Sequence, residues 1–339
     1  MSKIGDPSAP HAPGDTGQLS LLPRAVPQPA PDNMPSAQPG GGLCYRIEMA
    51  WGCWRRWYLK RFRPGYVRRM AEKRKGSCEG APHEILDPRD LKFVANRVEC
   101  RWDPADDPFQ WREVLPFARW GLAELQIMGW PLLALTIATA VFLNWYYAIV
   151  PGLLLFFVGY FFRDPYRRIP VGEGILVSPA DGKVVEVTRL ERDDFIGGPA
   201  VRIGIFLSVF NVHVNRAPAA ARVIALRYSP GAFLNALNPE SSLRNENLWI
   251  GLEAQTPPHR KMIVRQVAGL IARKIVCPLR PGETLAAGQR IGMIKFGSRT
   301  ELIVPDEPGL EIEVRPGMAV RGGSDILARY KTGGDSAKV

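Results

Sequence analysis

Hydrophobic and polar positions fall into distinct textures along the chain. From Met1 to Gly42, Pro, Gly, Ser and Ala dominate without apolar periodicity or a basic-then-apolar leader, so residues 1–42 are expected to form a disordered tail. From Gly129 to Phe162 there is no Asp, Glu, Lys, Arg or His, a stretch longer than the roughly 20 apolar residues that a membrane helix needs. As one helix it would rise about 1.5 Å per residue and overshoot a hydrocarbon core of about 30 Å. Pro151-Gly152 also argues against continuity. The pattern therefore predicts an apolar helical hairpin over 129–162, turning where Asn144 meets Trp145, Tyr146 and Tyr147. Arg112 and Arg119 before it, and Arg163, Arg167 and Arg168 after it, keep both flanks on the cytoplasmic face of the cell membrane. A tilted or half-immersed hairpin fits as well as full crossing; the competing expectation is a buried helix pair in a soluble domain.

After Arg163 the texture becomes short Val/Ile-rich runs punctuated by Pro-Gly, Asp-Gly and Gly-Gly, which predicts strands joined by tight turns. The expected class is mainly β (α+β), with a catalytic domain over 163–339. A repeat supports this: Arg280-Pro281-Gly282 with Gly288 and Ile291 has the same spacing as Arg315-Pro316-Gly317 with Gly323 and Ile326. Two similar hairpin units follow. They resemble the barrel-sandwich hybrid of biotinyl and lipoyl domains, as does the strand start Ser178-Pro179-Ala180-Asp181-Gly182-Lys183-Val184. Val201 to Arg216 reads as one strand with Val201, Ile203, Ile205, Leu207 and Val209 on one face, continued by Asn211, His213 and Asn215.

Composition narrows the function. With 339 residues, 46% of them hydrophobic, the chain can bury a sizeable core, which excludes a wholly disordered protein. A net charge of +11 calls for an anionic partner. Much of it lies in a basic, aromatic extension over 43–128, where Trp51, Trp54, Trp57 and Tyr58 sit among Arg55, Arg56, Lys60 and Arg61. Such a mixture suits phosphates and rings of RNA or lipid headgroups. No nucleic-acid fold signature accompanies it, so the expectation is a solvated extension and no nucleic-acid partner. The five cysteines include no Cys-x-x-Cys pair, so neither a zinc cage nor a disulfide framework is indicated and no metal is expected.

Three residues could carry chemistry. His213 lies where an apolar strand turns polar and would serve as a general base near neutral pH, or as a structural histidine. Asp181, in Pro-Ala-Asp-Gly, and Ser298, in Phe296-Gly297-Ser298-Arg299, read alone as turn residues. Brought together, Asp181 would orient the imidazole and the imidazole would take the serine proton.

Four segments together change this picture. Phe161-Phe162-Arg163-Asp164-Pro165 after the hairpin, Ser178-Pro179-Ala180-Asp181-Gly182, Val209-Phe210-Asn211-Val212-His213-Val214-Asn215-Arg216 and Phe296-Gly297-Ser298-Arg299 resemble the short bacterial form of the phosphatidylserine decarboxylase proenzymes, over about residues 125–331. The resemblance implies self-cleavage between Gly297 and Ser298 into a β chain (1–297) and an α chain (298–339). It implies a covalent pyruvoyl group made from Ser298, with His213 as base and Asp181 as its orienting partner. The implied reaction converts phosphatidylserine to phosphatidylethanolamine and CO2, with a phospholipid substrate and an anionic membrane surface as partners; self-association is left open. The longer form of the family has a second histidine where this chain has Phe210, which leaves the proton donor open. Its threonine is replaced by Arg299, a candidate for holding a phosphate or carboxylate. The rival readings are a decarboxylase of another serine-headgroup lipid, a triad serine hydrolase and a non-enzymatic lipoyl-like binding module.

Overall fold

The computed structural model describes residues 24–31, 43–234, 244–269, 274–295 and 297–331. Most of the expected tail and Phe296 lie outside the described residues. One part of the tail is ordered: Gln28 N–H donates to Ile224 O at 2.7 Å, and Ala25 N–H to Glu253 at 2.6 Å. The expectation of disorder over 1–42 therefore fails at 24–31, because backbone groups there find partners on the sheet.

The 43–128 extension is packed, in contrast to the solvated arm expected. It opens with α1 (Leu43–Phe62) and α2 (Pro64–Lys73). Met70, Ile85, Val94, Val98, Cys100 and Trp102 form its small core. Arg55 is buried on α1 and bonds the carboxylates of Asp87 and Asp90, which fixes the rotation of the helix. Trp51, Trp54 and Trp57 consequently face outward. Arg280 Nη1 donates to Val98 O at 2.8 Å, tying the unit to the β body.

The hairpin follows as α3 (Leu122–Phe142) and α4 (Ile149–Phe161), joined through a 3-10 turn at Trp145–Ala148. The turn falls at the aromatic cluster, as its pattern suggests. Pro151 does not break anything: it occupies the first turn of α4, where a missing N–H costs no helical hydrogen bond. Arg119–Phe142 is long and apolar enough to cross a membrane, and none of its most apolar window is buried. Phe142, Trp145 and Phe156 are exposed by 82%, 71% and 68%. That exposure is the opposite of what a helix pair buried within the chain would show, although Pro151, Val158 and Phe161 of α4 are buried.

The body is β. In chain order its strands are β1 (Ile175–Val177), β2 (Gly182–Asp193), β3 (Gly198–Leu207), β4 (Val214–Arg216), β5 (Ala221–Ser229), β6 (Asn247–Ala254), β7 (Lys261–Ala268), β8 (Lys274–Val276), β9 (Thr284–Leu285), β10 (Arg290–Lys295), β11 (Ser298–Pro305), β12 (Leu310–Ile312), β13 (Ala319–Val320) and β14 (Ile326–Tyr330). The described strands form an eight-stranded sheet, β13-β2-β3-β11-β7-β6-β5-β9, and two three-stranded sheets, β1-β14-β12 and β4-β10-β8. Both RPG units sit where the repeat leads one to look: their short strands β9 and β13 close opposite edges of the large sheet, and β10 and β14 are the centres of the two small sheets.

The body is a pseudo-two-fold pair. Ser178-Pro179-Ala180-Asp181-Gly182-Lys183-Val184 corresponds to Ala217-Pro218-Ala219-Ala220-Ala221-Arg222-Val223, and the two stretches exchange equivalent bonds. Val177 N–H donates to Pro218 O at 2.8 Å and Arg216 N–H to Pro179 O at 2.9 Å. Gly317 N–H meets Val184 O as Gly282 N–H meets Val223 O. The antiparallel pair β11 and β7 lies at the junction of the halves. Alternating residues of β3, Val201, Ile203, Ile205 and Leu207, are buried in the main core together with Leu248, Ile250, Leu252 and Val264. Leu207 ends its strand, however. Ser208 N–H bonds Asn211 Oδ1 at 2.9 Å to make a turn, so the single strand expected over Val201–Arg216 is two, β3 and β4.

Candidate active site

The site forms where the strand ladders end. β11 begins at Ser298, registered against Leu207, the last residue of β3, and Ala268, the last residue of β7. On the preceding strand, Met293 pairs with Val214, and Ile294 N–H donates to His213 O at 3.2 Å. The β4-β10 ladder thus carries His213 alongside the segment that leads to Gly297. Sequence periodicity placed His213 on the correct boundary for the wrong reason, since a turn and a second strand deliver it.

His213 is fully buried, and both ring nitrogens are engaged. Gly297 N–H donates to Nε2 at 3.1 Å. Nε2 is therefore an acceptor, which assigns the proton to Nδ1, donating to Asn211 O at 2.9 Å. Burial pushes its pKa down to about 4, against a smaller upward pull from the Asn211 bond, and the charge of Arg163 adds to the depression. The ring is neutral at pH 7. Gly297 has φ +63°, in the left-handed region that L side chains avoid, and a Cβ there would meet nothing within 4 Å. Glycine is required for conformation, not for space. The Ser298 hydroxyl is completely buried with no hydrogen-bond partner among the described residues. A buried hydroxyl left unpaired costs about 1–3 kcal/mol, and this one lies beside a glycine in the left-handed backbone region.

Asp181 sits at the start of β2 and is buried, yet it does not touch the imidazole. Its carboxylate accepts from Arg167 Nη2 at 2.7 Å and from Gly322 N–H at 2.8 Å. Burial raises its pKa despite the opposing charge of Arg167. The hydrogen bond expected between Asp181 and His213 is replaced by Asn211 O on the histidine side. The symmetry-related position is Ala220, so this acid belongs to one half only. Arg299 is also relocated in role: it is buried between Glu186 and Glu301 on the sheet, bonding Glu301 Oε1 at 2.8 Å. That neutralisation removes it as an anion ligand; against the upward push of burial, hydrogen bonds from Arg299, Thr188 and Arg202 bring the Glu186 carboxyl down to about 2.

Sequence reasoning missed a buried amide network. Gln266 Nε2 donates to Asn215 Oδ1 at 2.7 Å, and Asn215 Nδ2 to Thr300 Oγ1 at 3.0 Å. Thr300 lies two residues from Ser298 on β11, and Asn215 two residues from His213. The period-two pattern that flagged Asn215 could have flagged Thr300. Among the described residues, no group of three or more His, Cys, Asp or Glu could hold a metal ion.

The site is a glycine-serine junction presented to a neutral buried histidine at the edge of a β body. Comparison with known proteins gives the family. Residues 154–328 match the phosphatidylserine decarboxylase family. The chain is 49% identical over 244 residues to the phosphatidylserine decarboxylase proenzyme of Rhodopirellula baltica, covering 72% of this chain and 100% of that protein. It is 42% identical over 204 residues to the proenzyme of Carboxydothermus hydrogenoformans (60% and 94%), and 46% over 173 residues to that of Desulfotalea psychrophila (51% and 79%). This chain belongs to the phosphatidylserine decarboxylase family.

Proposed function

We propose that this chain cleaves itself between Gly297 and Ser298 and then decarboxylates phosphatidylserine to phosphatidylethanolamine and CO2 at a membrane. The observation that carries the cleavage is the contact of Gly297 N–H with His213 Nε2 beside the unpartnered Ser298 hydroxyl. Ser298 Oγ attacks the Gly297 carbonyl carbon as its proton passes to the neutral imidazole, which returns that proton to the Ser298 nitrogen as the C–N bond breaks, leaving an ester, a free amine and a neutral ring. Loss of the Ser298 α-proton to the same base expels the Gly297 carboxylate. The elimination leaves dehydroalanine at position 298; water adds to its imine tautomer and ammonia departs, leaving a pyruvoyl group at the head of the α chain.

The residues present suit that group: the Ser298 hydroxyl is buried and unpaired at the start of β11, and Thr300, two residues on, accepts from Asn215 Nδ2 and keeps its own hydroxyl proton to donate. A pyruvoyl group supplies a carbonyl conjugated to a second one, which accepts the electron pair released as CO2 departs. Its neighbours act around it. His213 moves protons from a site that stays neutral at pH 7. Asp181, at the start of β2 in the other half of the body from His213, is held by Arg167 and Gly322 with its pKa raised by burial and is assigned a proton-handling role. Phe210, in the position where longer relatives carry histidine, is 62% exposed and packs edge-on to Phe157 of α4, so it forms apolar surface.

The triad hydrolase reading loses its central contact, since Asn211 and not Asp181 holds His213 Nδ1. The exposed apolar hairpin gives the chain membrane attachment, with the body on the cytoplasmic face. The test is the chain composition of purified active protein: two chains and phosphatidylethanolamine formed from phosphatidylserine are expected, while an active single chain would contradict the reading.

A further inference from the structure

Four arginines lie around the site and its flanks with their charge already met. Arg167 bonds Asp181 at 2.7 Å, Arg216 bonds Asp164 at 2.6 Å, Arg290 bonds Asp164 at 2.5 Å and Glu113 at 2.8 Å, and Arg299 lies between Glu186 and Glu301. Arg163 is different. Its guanidinium makes no ion pair among the described residues; Nη1 donates to Tyr160 O at 2.7 Å, Nη2 to Phe210 O at 2.8 Å, and Cζ lies 3.6 Å from the Tyr160 ring centroid. Two main-chain carbonyls and an aromatic face hold the fork in place while its cation stays unneutralised, and part of its five-donor capacity is free.

Its place in the fold is at a border. On one side are the outward apolar side chains of the hairpin and its neighbour turn, Phe156, Tyr160 and Phe210. On the other side is the catalytic cluster: Arg163 follows Phe161-Phe162, which pack with Val212 and Val214 on either side of His213, and its charge is felt at both His213 and Asp181. A diacyl lipid reaching from bilayer to site has its phosphodiester at the same border.

We propose that Arg163 is the anion-binding residue for the lipid headgroup, and that the group it holds is the phosphodiester rather than the serine carboxylate. The proposal rests on the membrane-substrate reading above. The choice between the two anions follows from the reaction. The carboxylate leaves as neutral CO2, so a guanidinium clamped on it would stabilise the ground state more than the transition state and slow the step. The phosphate keeps its charge throughout, and a charge-assisted bidentate contact to it positions the headgroup without that penalty.

The test uses the full chain in mixed micelles with phosphatidylserine as substrate and phosphatidylethanolamine as product inhibitor. Arg163→Gln should still cleave into two chains, which reports an intact fold and site. Its KM should rise about tenfold or more, the range expected for losing a charged hydrogen bond, with kcat changed much less. The inhibition constant of phosphatidylethanolamine, which has the phosphate but no carboxylate, should rise in parallel. An unchanged KM in cleaved protein overturns the proposal, and a raised KM with an unchanged inhibition constant assigns Arg163 to the carboxylate and overturns it too. If only Arg163→Lys matures, a several-fold rise in both constants supports the site and wild-type values overturn it. If neither variant cleaves, Arg163 is a strap between α4 and the Ser208–Asn211 turn and the proposal fails. Wild-type protein that cleaves without acting on phosphatidylserine would instead sink the substrate reading.

Discussion

Phe161 lies against His213 with ring centroids 4.5 Å apart and planes inclined by 37°. The last turn of the apolar hairpin therefore packs directly on the candidate base. Phe161 and Phe162 are each 1% exposed, and burying a side chain of this size contributes roughly 1.5–3 kcal/mol, so the hairpin root is seated firmly on β4 and β10. The same packing strips water from the imidazole and depresses its pKa. The apolar hairpin and His213 are coupled through one aromatic contact.

From that depressed pKa follows the pH dependence of maturation. A base with pKa about 4 is already deprotonated across the neutral range, so the cleavage rate should be flat from pH 8 to pH 5 and fall only near pH 4. Timed gels of freshly refolded protein check it; a fall centred near pH 6.5 would mean the ring is solvated during cleavage. His213→Ala should slow cleavage by about 10²- to 10⁴-fold.

The histidine also makes stability depend on pH. Its folded pKa lies below the ordinary 6.5, so between those values the unfolded chain binds more protons and acid favours unfolding. The linked loss amounts to about 2 kcal/mol between pH 7 and pH 5. In an uncleaved Ser298→Ala background, denaturation midpoints should fall over this window. Adding His213→Gln should remove most of that slope.

Gly297→Ala should fold, because open space surrounds the added methyl, but should strain the backbone at φ +63° by about 1–2 kcal/mol. A shifted junction no longer presents its N–H to His213, so cleavage should slow at least tenfold. Cleavage at the normal rate would show that the left-handed conformation is unimportant to the reaction.

Asp181→Asn removes a carboxylate but keeps a hydrogen-bonding side chain beside Arg167 and Gly322. If Asp181 handles protons, cleavage or decarboxylation should fall by 10²-fold or more while thermal stability changes little. Loss of stability in step with activity would make it a strut for the turn that precedes β2.

Legibility in the sequence followed the range of the interaction. The hairpin was readable because charge is absent from Gly129 to Phe162, and its turn because the aromatic cluster and Asn144 coincide. The RPG repeat announced two similar units, but the partner of Asp181 depends on a loop from the far end of the chain, Gly322, 141 residues away. Nothing local distinguishes that from a pairing with His213. The extension misled for the opposite reason: its exposed tryptophans and cations dominate the pattern, while the buried Arg55 with Asp87 and Asp90 that holds it folded looks like ordinary surface charge.

The extension is expected to be secondary to the hairpin in attachment. Protein beginning near Asp103 should still cleave and stay with membranes through a 1 M salt wash, where the Debye length is about 3 Å and charge contacts are screened. Release by salt alone would make the basic unit the anchor.

The central claim is tested most directly by the intact mass of wild-type protein alongside Ser298→Ala. Wild type should separate into a chain ending at Gly297 and one spanning 298–339 whose first residue carries a pyruvoyl group and no amine, while Ser298→Ala stays one inactive chain. A single uncleaved chain in active wild-type protein, or a second fragment that begins with an unmodified serine, would contradict the account.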